Sequence, residues 1–208
     1  MQSPIYKLSE LCIIFILIPI SFAIQYPIWI KMLISVLGFI YVLFVLLRIE
    51  KNKFKVAPQL RWSTFFKRTG LQLIIIAILT TLYMWFVDQS NLYVVILHKP
   101  LLWLGILFVY SFFSVYPQEL IYRTFFFQRY QALFTNKNRF IILNAILFSL
   151  AHLFFGNMLV MILTFVGGLL FARTFYKTKS TLLVSIEHAI YGCWLFTVGM
   201  GDMLGFPS

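Results

Sequence analysis

The chain has 208 residues, of which 62% are hydrophobic and 19% aromatic, and it carries a net charge of +11. A soluble domain has too little polar surface to cover that much apolar side chain, and the mean hydropathy of +0.92 agrees. The apolar residues come in continuous runs of about 20, the length that crosses a bilayer core as an α-helix, and not in the alternation of a membrane β-barrel. The expected fold is all-α: a polytopic transmembrane bundle of seven to eight helices, with residues 1–208 forming a single membrane domain.

The positive charge does not point to a nucleic-acid partner, because the basic residues sit between the hydrophobic runs, where cytoplasmic loops concentrate them. Lys7, the apolar run 11–20 and Ser21-Phe22-Ala23 have the outline of a signal peptide. Glu10 interrupts that outline, so a retained first helix is expected. A second run covers residues 29–47. Residues 48–68 then carry Arg48, Lys51, Lys53, Lys55, Arg61, Lys67 and Arg68 against the single acid Glu50, the pattern of a cytoplasmic loop. A third run covers 71–87, and His98-Lys99-Pro100 reads as a surface turn.

Residues 101–133 are too long for one straight crossing at ~1.5 Å per residue. Yet basic clusters at 48–68, 129–139 and 173–179 share one side only if this stretch crosses once. A break or strong bend near Pro117 is expected, with seven crossings in all, a cytoplasmic N-terminus and an external C-terminus. Three further spans follow, starting near residues 140, 158 and 182. Gly167-Gly168 would let helices approach closely, and Ser180 or Thr181 is the expected N-cap of the last helix. Cys12 and Cys193 lie in apolar runs without metal-type spacing and read as buried thiols.

Ionisable groups inside spans are costly and mark sites. Glu119 and Arg123, four apart on one helical face, can pair, and His152, Glu187 and His188 lie in two later spans. Brought together, a carboxylate and an imidazole could activate a water while a second imidazole steadies an oxyanion. The bland alternatives are a Glu–Arg pair that locks helices together and histidines bonded to backbone carbonyls. Metal dependence stays open: Glu119, His152 and His188 are the candidates for a divalent ion such as zinc, although no H-E-x-x-H pattern is present. A transporter is disfavoured, since no inverted repeat is visible.

The order Glu119-x-x-x-Arg123, then Phe148-x-x-x-His152, then His188 in the last helix resembles the CPBP intramembrane proteases, also called the ABI family. That family includes type II CAAX prenyl endopeptidases and bacteriocin-processing or self-immunity proteins. The resemblance covers roughly residues 100–200 as the catalytic core. It implies a membrane endopeptidase acting on a hydrophobic or membrane-associated peptide or protein in the bilayer, with Glu119, Arg123, His152 and His188 as catalytic residues. Two positions depart from the family pattern. Gln118 stands where a leading Glu would activate water, and Gly192 stands where Asn would support the oxyanion. Either Glu119 or, preferably, Glu187 would then supply the carboxylate. The alternative is a catalytically silent relative acting as a binding or immunity protein. A bacterial plasma membrane is the expected location.

Overall fold

The computed structural model describes residues 3–52 and 61–205, and among these there are helices and no β-strand. Six helical segments are long and apolar enough to span a membrane: α1 (Pro4–Phe22), α2 (Ile28–Ile49), α3 (Trp62–Val87), α5 (Pro100–Leu133), α6 (Lys137–Phe155, including a closing 3₁₀ turn) and α7 (Met158–Thr178). A short α4 (Val94–His98) precedes α5. The last helix, α8 (Thr181–Thr197), has 17 residues. The chain is thus an integral membrane bundle of the expected kind. Exposed side chains such as Ile74, Phe86 and Phe113 belong to its lipid-facing surface.

Local chemistry sets the helix ends. Asn136, Asn157 and Ser180 cap α6, α7 and α8 by accepting backbone N–H bonds from the first turn, which satisfies donors the helix leaves orphaned. At the end of α3, Asp88 accepts from Ser90 and Asn91, and these bonds hold its carboxyl below the usual carboxylate range. Gly168 of α7 lies so near α6 that a Cβ there would sit 3.0 Å from the Ala145 Cα. That is the close approach expected of the Gly pair.

Three expectations need correction. The stretch 100–133 is not broken at Pro117: α5 is helical for 34 residues, and π-turns at Tyr110–Val115 and Leu120–Phe125 take the place of a break. A π-turn also precedes Pro19 in α1. The wider i→i+5 turn accommodates a proline that lacks an N–H donor. The loop expected at 48–68 is shorter, because Arg48 belongs to α2 and Lys67 and Arg68 to α3, while Lys53 and Lys55 lie outside the described residues. The thiols are not both buried, since Cys12 is exposed on α1 and Cys193 half-buried. A surface facing acyl chains is as apolar as a core, so hydropathy does not separate the two.

In lipid the hydrophobic effect does not drive helices together, so packing and polar contacts must. Phe15 of α1 meets Tyr122, Phe126 and Tyr130 edge-on, with ring centroids 5.1 to 6.0 Å apart. Arg129 of α5, 1% exposed, bonds Glu10 of α1 at 2.7 Å and Glu50, just past α2, at 2.9 Å. Tyr130 and Tyr41 also donate to Glu10. Lys7 donates to the Arg129 carbonyl at 3.2 Å and Lys179 to Gln131 at 3.0 Å. These contacts gather the N-terminus and the α2, α5–α6 and α7–α8 ends at one end of the bundle. Breaking a buried ion pair by removing one partner leaves an uncompensated charge. Arg129→Met is therefore expected to cost on the order of 3 kcal/mol, read as a lower unfolding midpoint in detergent micelles; an unchanged midpoint would refute this role for the clasp.

Candidate active site

The π-turns of α5 bracket the residues that matter most. Between them, Tyr116–Glu119 forms a single α-helical turn that turns Gln118 toward a cavity and Glu119 into the protein. Glu119 and Arg123 are both fully buried, with Arg123 Nε 3.3 Å from Glu119 Oε2. His188 of α8 donates from Nδ1 to Glu119 Oε1 at 2.8 Å. The carboxylate is thus shared between a guanidinium and an imidazole.

Arg123 is held in turn. Its Nη1 donates to Asn144 Oδ1 at 2.8 Å, and Asn144 Nδ2 donates to the Tyr122 carbonyl at 2.7 Å. The guanidinium lies 4.6 Å from the Phe148 ring centroid and 5.8 Å from that of Phe171, a cation–π arrangement that favours a desolvated Arg. Phe171 also stacks on His188 at 4.4 Å. The motif phenylalanine Phe148 meets His152 at 4.9 Å and His188 at 5.7 Å, so one ring touches both imidazoles.

His152 sits just past the regular part of α6 and donates from Nδ1 to the Phe148 carbonyl at 2.8 Å. That carbonyl is one of the acceptors a helix C-terminus leaves open. With Nδ1 engaged in both histidines, Nε2 is the remaining proton acceptor of each neutral ring. His152, His188, Gln118 and Tyr110 line one cavity of ≈ 410 Å³, whose other walls are mostly apolar and include Ile14 of α1 and Gly38 of α2. Gln118 Nε2 donates to Ser114 at 2.8 Å, and its Oε1 is buried with no hydrogen-bond partner among the described residues.

The expected residues therefore occupy two layers. Gln118, His152 and His188 reach the cavity wall, while Glu119 and Arg123 lie behind His188. Glu187 takes a third position. Adjacent residues on a helix point in different directions, and Glu187 faces Arg68 of α3 at 3.4 Å and accepts from Tyr191 at 3.3 Å, away from the cavity lining. The His–Glu pair sought from Glu187 is made by Glu119. Sequence reasoning treated Arg68 as a loop charge and missed both its bond to Thr174 at 2.6 Å and its pairing with Glu187. The scarcity of acids was the available signal, since each Glu in an apolar chain needs a cation.

Among the described residues, no three His, Cys, Asp or Glu side chains are grouped so as to hold a metal ion. The two Glu119 oxygens face His188 and Arg123, so the donor set proposed for zinc does not fit. Gly192, one turn beyond His188, has a specific neighbour. A Cβ at this position would overlap the hydroxyl end of the Tyr110 ring.

Fold and site together define a polytopic membrane protein with a buried Arg–Glu–His chain ending on an apolar cavity. The family model described as type II CAAX prenyl endopeptidase Rce1-like matches residues 100–194, a little under half of the chain. The matched stretch contains all three motifs and bears out the resemblance over α5 to α8. No curated protein and no solved structure showed a match to the chain. Gly192→Ala should force Tyr110 aside and destabilise the protein by about 1–3 kcal/mol. Combining it with Tyr110→Ala should remove that penalty in a thermal-unfolding double-mutant cycle; strictly additive effects would refute the steric coupling.

Proposed function

We propose that the protein is an intramembrane endopeptidase that hydrolyses a hydrophobic or lipidated peptide with a water activated by His188. The observation that carries this reading is the 2.8 Å bond from His188 Nδ1 to Glu119 Oε1, with the same imidazole on the cavity wall. A carboxylate that holds Nδ1–H fixes the tautomer, aims Nε2 at the substrate side and stabilises the imidazolium that forms. Arg123 pairs with Glu119 and orients it. Gln118 cannot take up a proton, and its carboxamide is tied to Ser114 at the cavity wall. His152 is the second imidazole in reach of that cavity and holds the water from the other side.

In this mechanism, water attacks the scissile carbonyl carbon as its proton passes to His188 Nε2. The tetrahedral intermediate then collapses, the C–N bond breaks, and the imidazolium returns the proton to the departing amine. The apolar walls suit a peptide with a hydrocarbon or prenyl chain. The match to residues 100–194 supports the substrate class, and the family description is the reason to test prenylated peptides first.

A silent, ligand-binding relative is the second reading, favoured by one feature: the carboxamide of Gln118 in place of a carboxylate. The two readings separate on one experiment. Detergent-solubilised protein is expected to cleave a farnesylated reporter peptide or an unlipidated hydrophobic one. Glu119→Gln should then lower kcat on the order of 10³-fold or more, by analogy with loss of the orienting carboxylate in a hydrolytic triad, and His188→Ala should lower it at least as much. Reporter binding without cleavage by the wild-type protein would support the silent relative.

A further inference from the structure

A substrate must reach His188 from outside the bundle, and the two ends of the bundle differ. The end that holds the Arg129 clasp is the basic one. Arg48, Lys51 and Arg61 flank the connection from α2 to α3, Lys137 and Arg139 open α6, and Lys177 and Lys179 close α7. At the opposite end, where α1 turns into α2 and α6 into α7, the charged residues among those described are Lys31, Asp88, Lys99 and Asp202. Basic residues concentrate on the cytoplasmic side of membrane proteins.

Toward the basic end the described residues close the site. Tyr122, Phe148 and Phe171 line the cavity. On the same helices but nearer the basic end, Phe126, Phe127, Phe140 and Phe175 pack ring to ring across α5, α6 and α7, with centroids 4.9 to 5.2 Å apart. None of these four is more than 3% exposed. Beyond this layer, a second cavity of ≈ 260 Å³ beside Lys179 and Thr124 shares no lining residue with the first. The first cavity runs the other way. From His188 its wall continues along α8 through Gly192 and Leu195, and it takes in Phe22 at the end of α1, Phe155 at the end of α6 and Leu204 past α8. Its exposed lining residues are Ser35, Phe154 and Val166. Each lies on the half of its helix away from the basic end.

Resting on the hydrolytic reading above, we propose that the site is entered from the extracytoplasmic side, and that its substrate is an extracytoplasmic polypeptide whose scissile segment lies in the outer half of the bilayer. The side chains at the opening, Phe22, Phe154 and Leu204 among them, suit an apolar segment. A polypeptide approaching from the cytoplasm meets the basic turns and then the closed layer of phenylalanines. The cavity's direction in the bundle and the sidedness of charge thus select substrates by compartment before any side chain is read.

The full chain can be tested in sealed membrane vesicles of either orientation. A hydrophobic reporter peptide carrying a sulfonated dye cannot cross the hydrocarbon, so right-side-out vesicles should cleave it at least about tenfold faster than inverted ones. Detergent should remove the difference. Orientation is read independently of activity by a membrane-impermeant maleimide, in a chain whose native thiols are replaced (Cys12→Ala, Cys193→Ala). Gln89→Cys, exposed at the far end, should label in right-side-out vesicles, and Asn138→Cys, exposed at the basic end, in inverted ones. Faster cleavage in inverted vesicles, equal rates in both sealed preparations, or labelling of Gln89→Cys in inverted vesicles alone would overturn the proposal and leave hydrolysis intact. If the detergent-solubilised protein cleaves no reporter, the hydrolytic reading falls. Binding of the sulfonated N-methyl amide analogue to right-side-out vesicles alone would then keep the outward-facing site for a silent binder, and any other binding pattern would defeat both.

Discussion

The chain of contacts from Arg123 through Glu119 to His188 is the constraint on which the site depends. A carboxylate with no solvent exposure survives in a membrane protein only if its charge is matched and its oxygens are engaged. Arg123 supplies the charge and His188 the hydrogen bond. Arg123 in turn needs Asn144 of α6 and the faces of Phe148 and Phe171. One buried anion therefore ties α5 to α6, α7 and α8. The bonds that stabilise this packing also orient the imidazole on the cavity wall. Stability and preorganisation are here the same set of contacts.

The helices outside the family match have their own part. α1 and α2 supply cavity walls through Ile14 and Gly38, and Glu10 and Glu50 bind these two helices to Arg129 at one end of α5. All four glutamates of the described residues are thus ion-paired: Glu10 and Glu50 with Arg129, Glu119 with Arg123, and Glu187 with Arg68. Glu119–Arg123 lies within α5, and the other pairings each join different helical segments. The cavity is consequently a product of the whole bundle rather than of residues 100–194 alone.

Two departures from the family pattern become physically connected in three dimensions. Gly192 removes a side chain from α8, and Tyr110 of α5 fills the space left. Gln118 removes a carboxylate from the wall, while Glu119 bonds His188 from behind. The space at Gly192 is occupied from another helix, whereas the carboxylate nearest Gln118 is its own neighbour on α5. Position-by-position comparison of motifs does not reveal the contact at Gly192, since Tyr110 lies outside the motifs.

Length and spacing of apolar runs determined the membrane class, the all-α bundle and many of the helix boundaries, because a bilayer of fixed thickness sets the length that a span needs. Residue type in an apolar setting singled out Glu119, Arg123, His152 and His188, because burying such groups is too costly to be incidental. Direction was not legible. Nothing local distinguishes Glu187, which faces Arg68, from His188, which faces Glu119, or identifies Arg68 and Glu10 as interior partners. Nor could local sequence reveal that α5 continues past Pro117 through π-turns, or that Tyr110 reaches Gly192. Those outcomes depend on which helix packs against which face, a relation between residues tens of positions apart that only the tertiary structure decides.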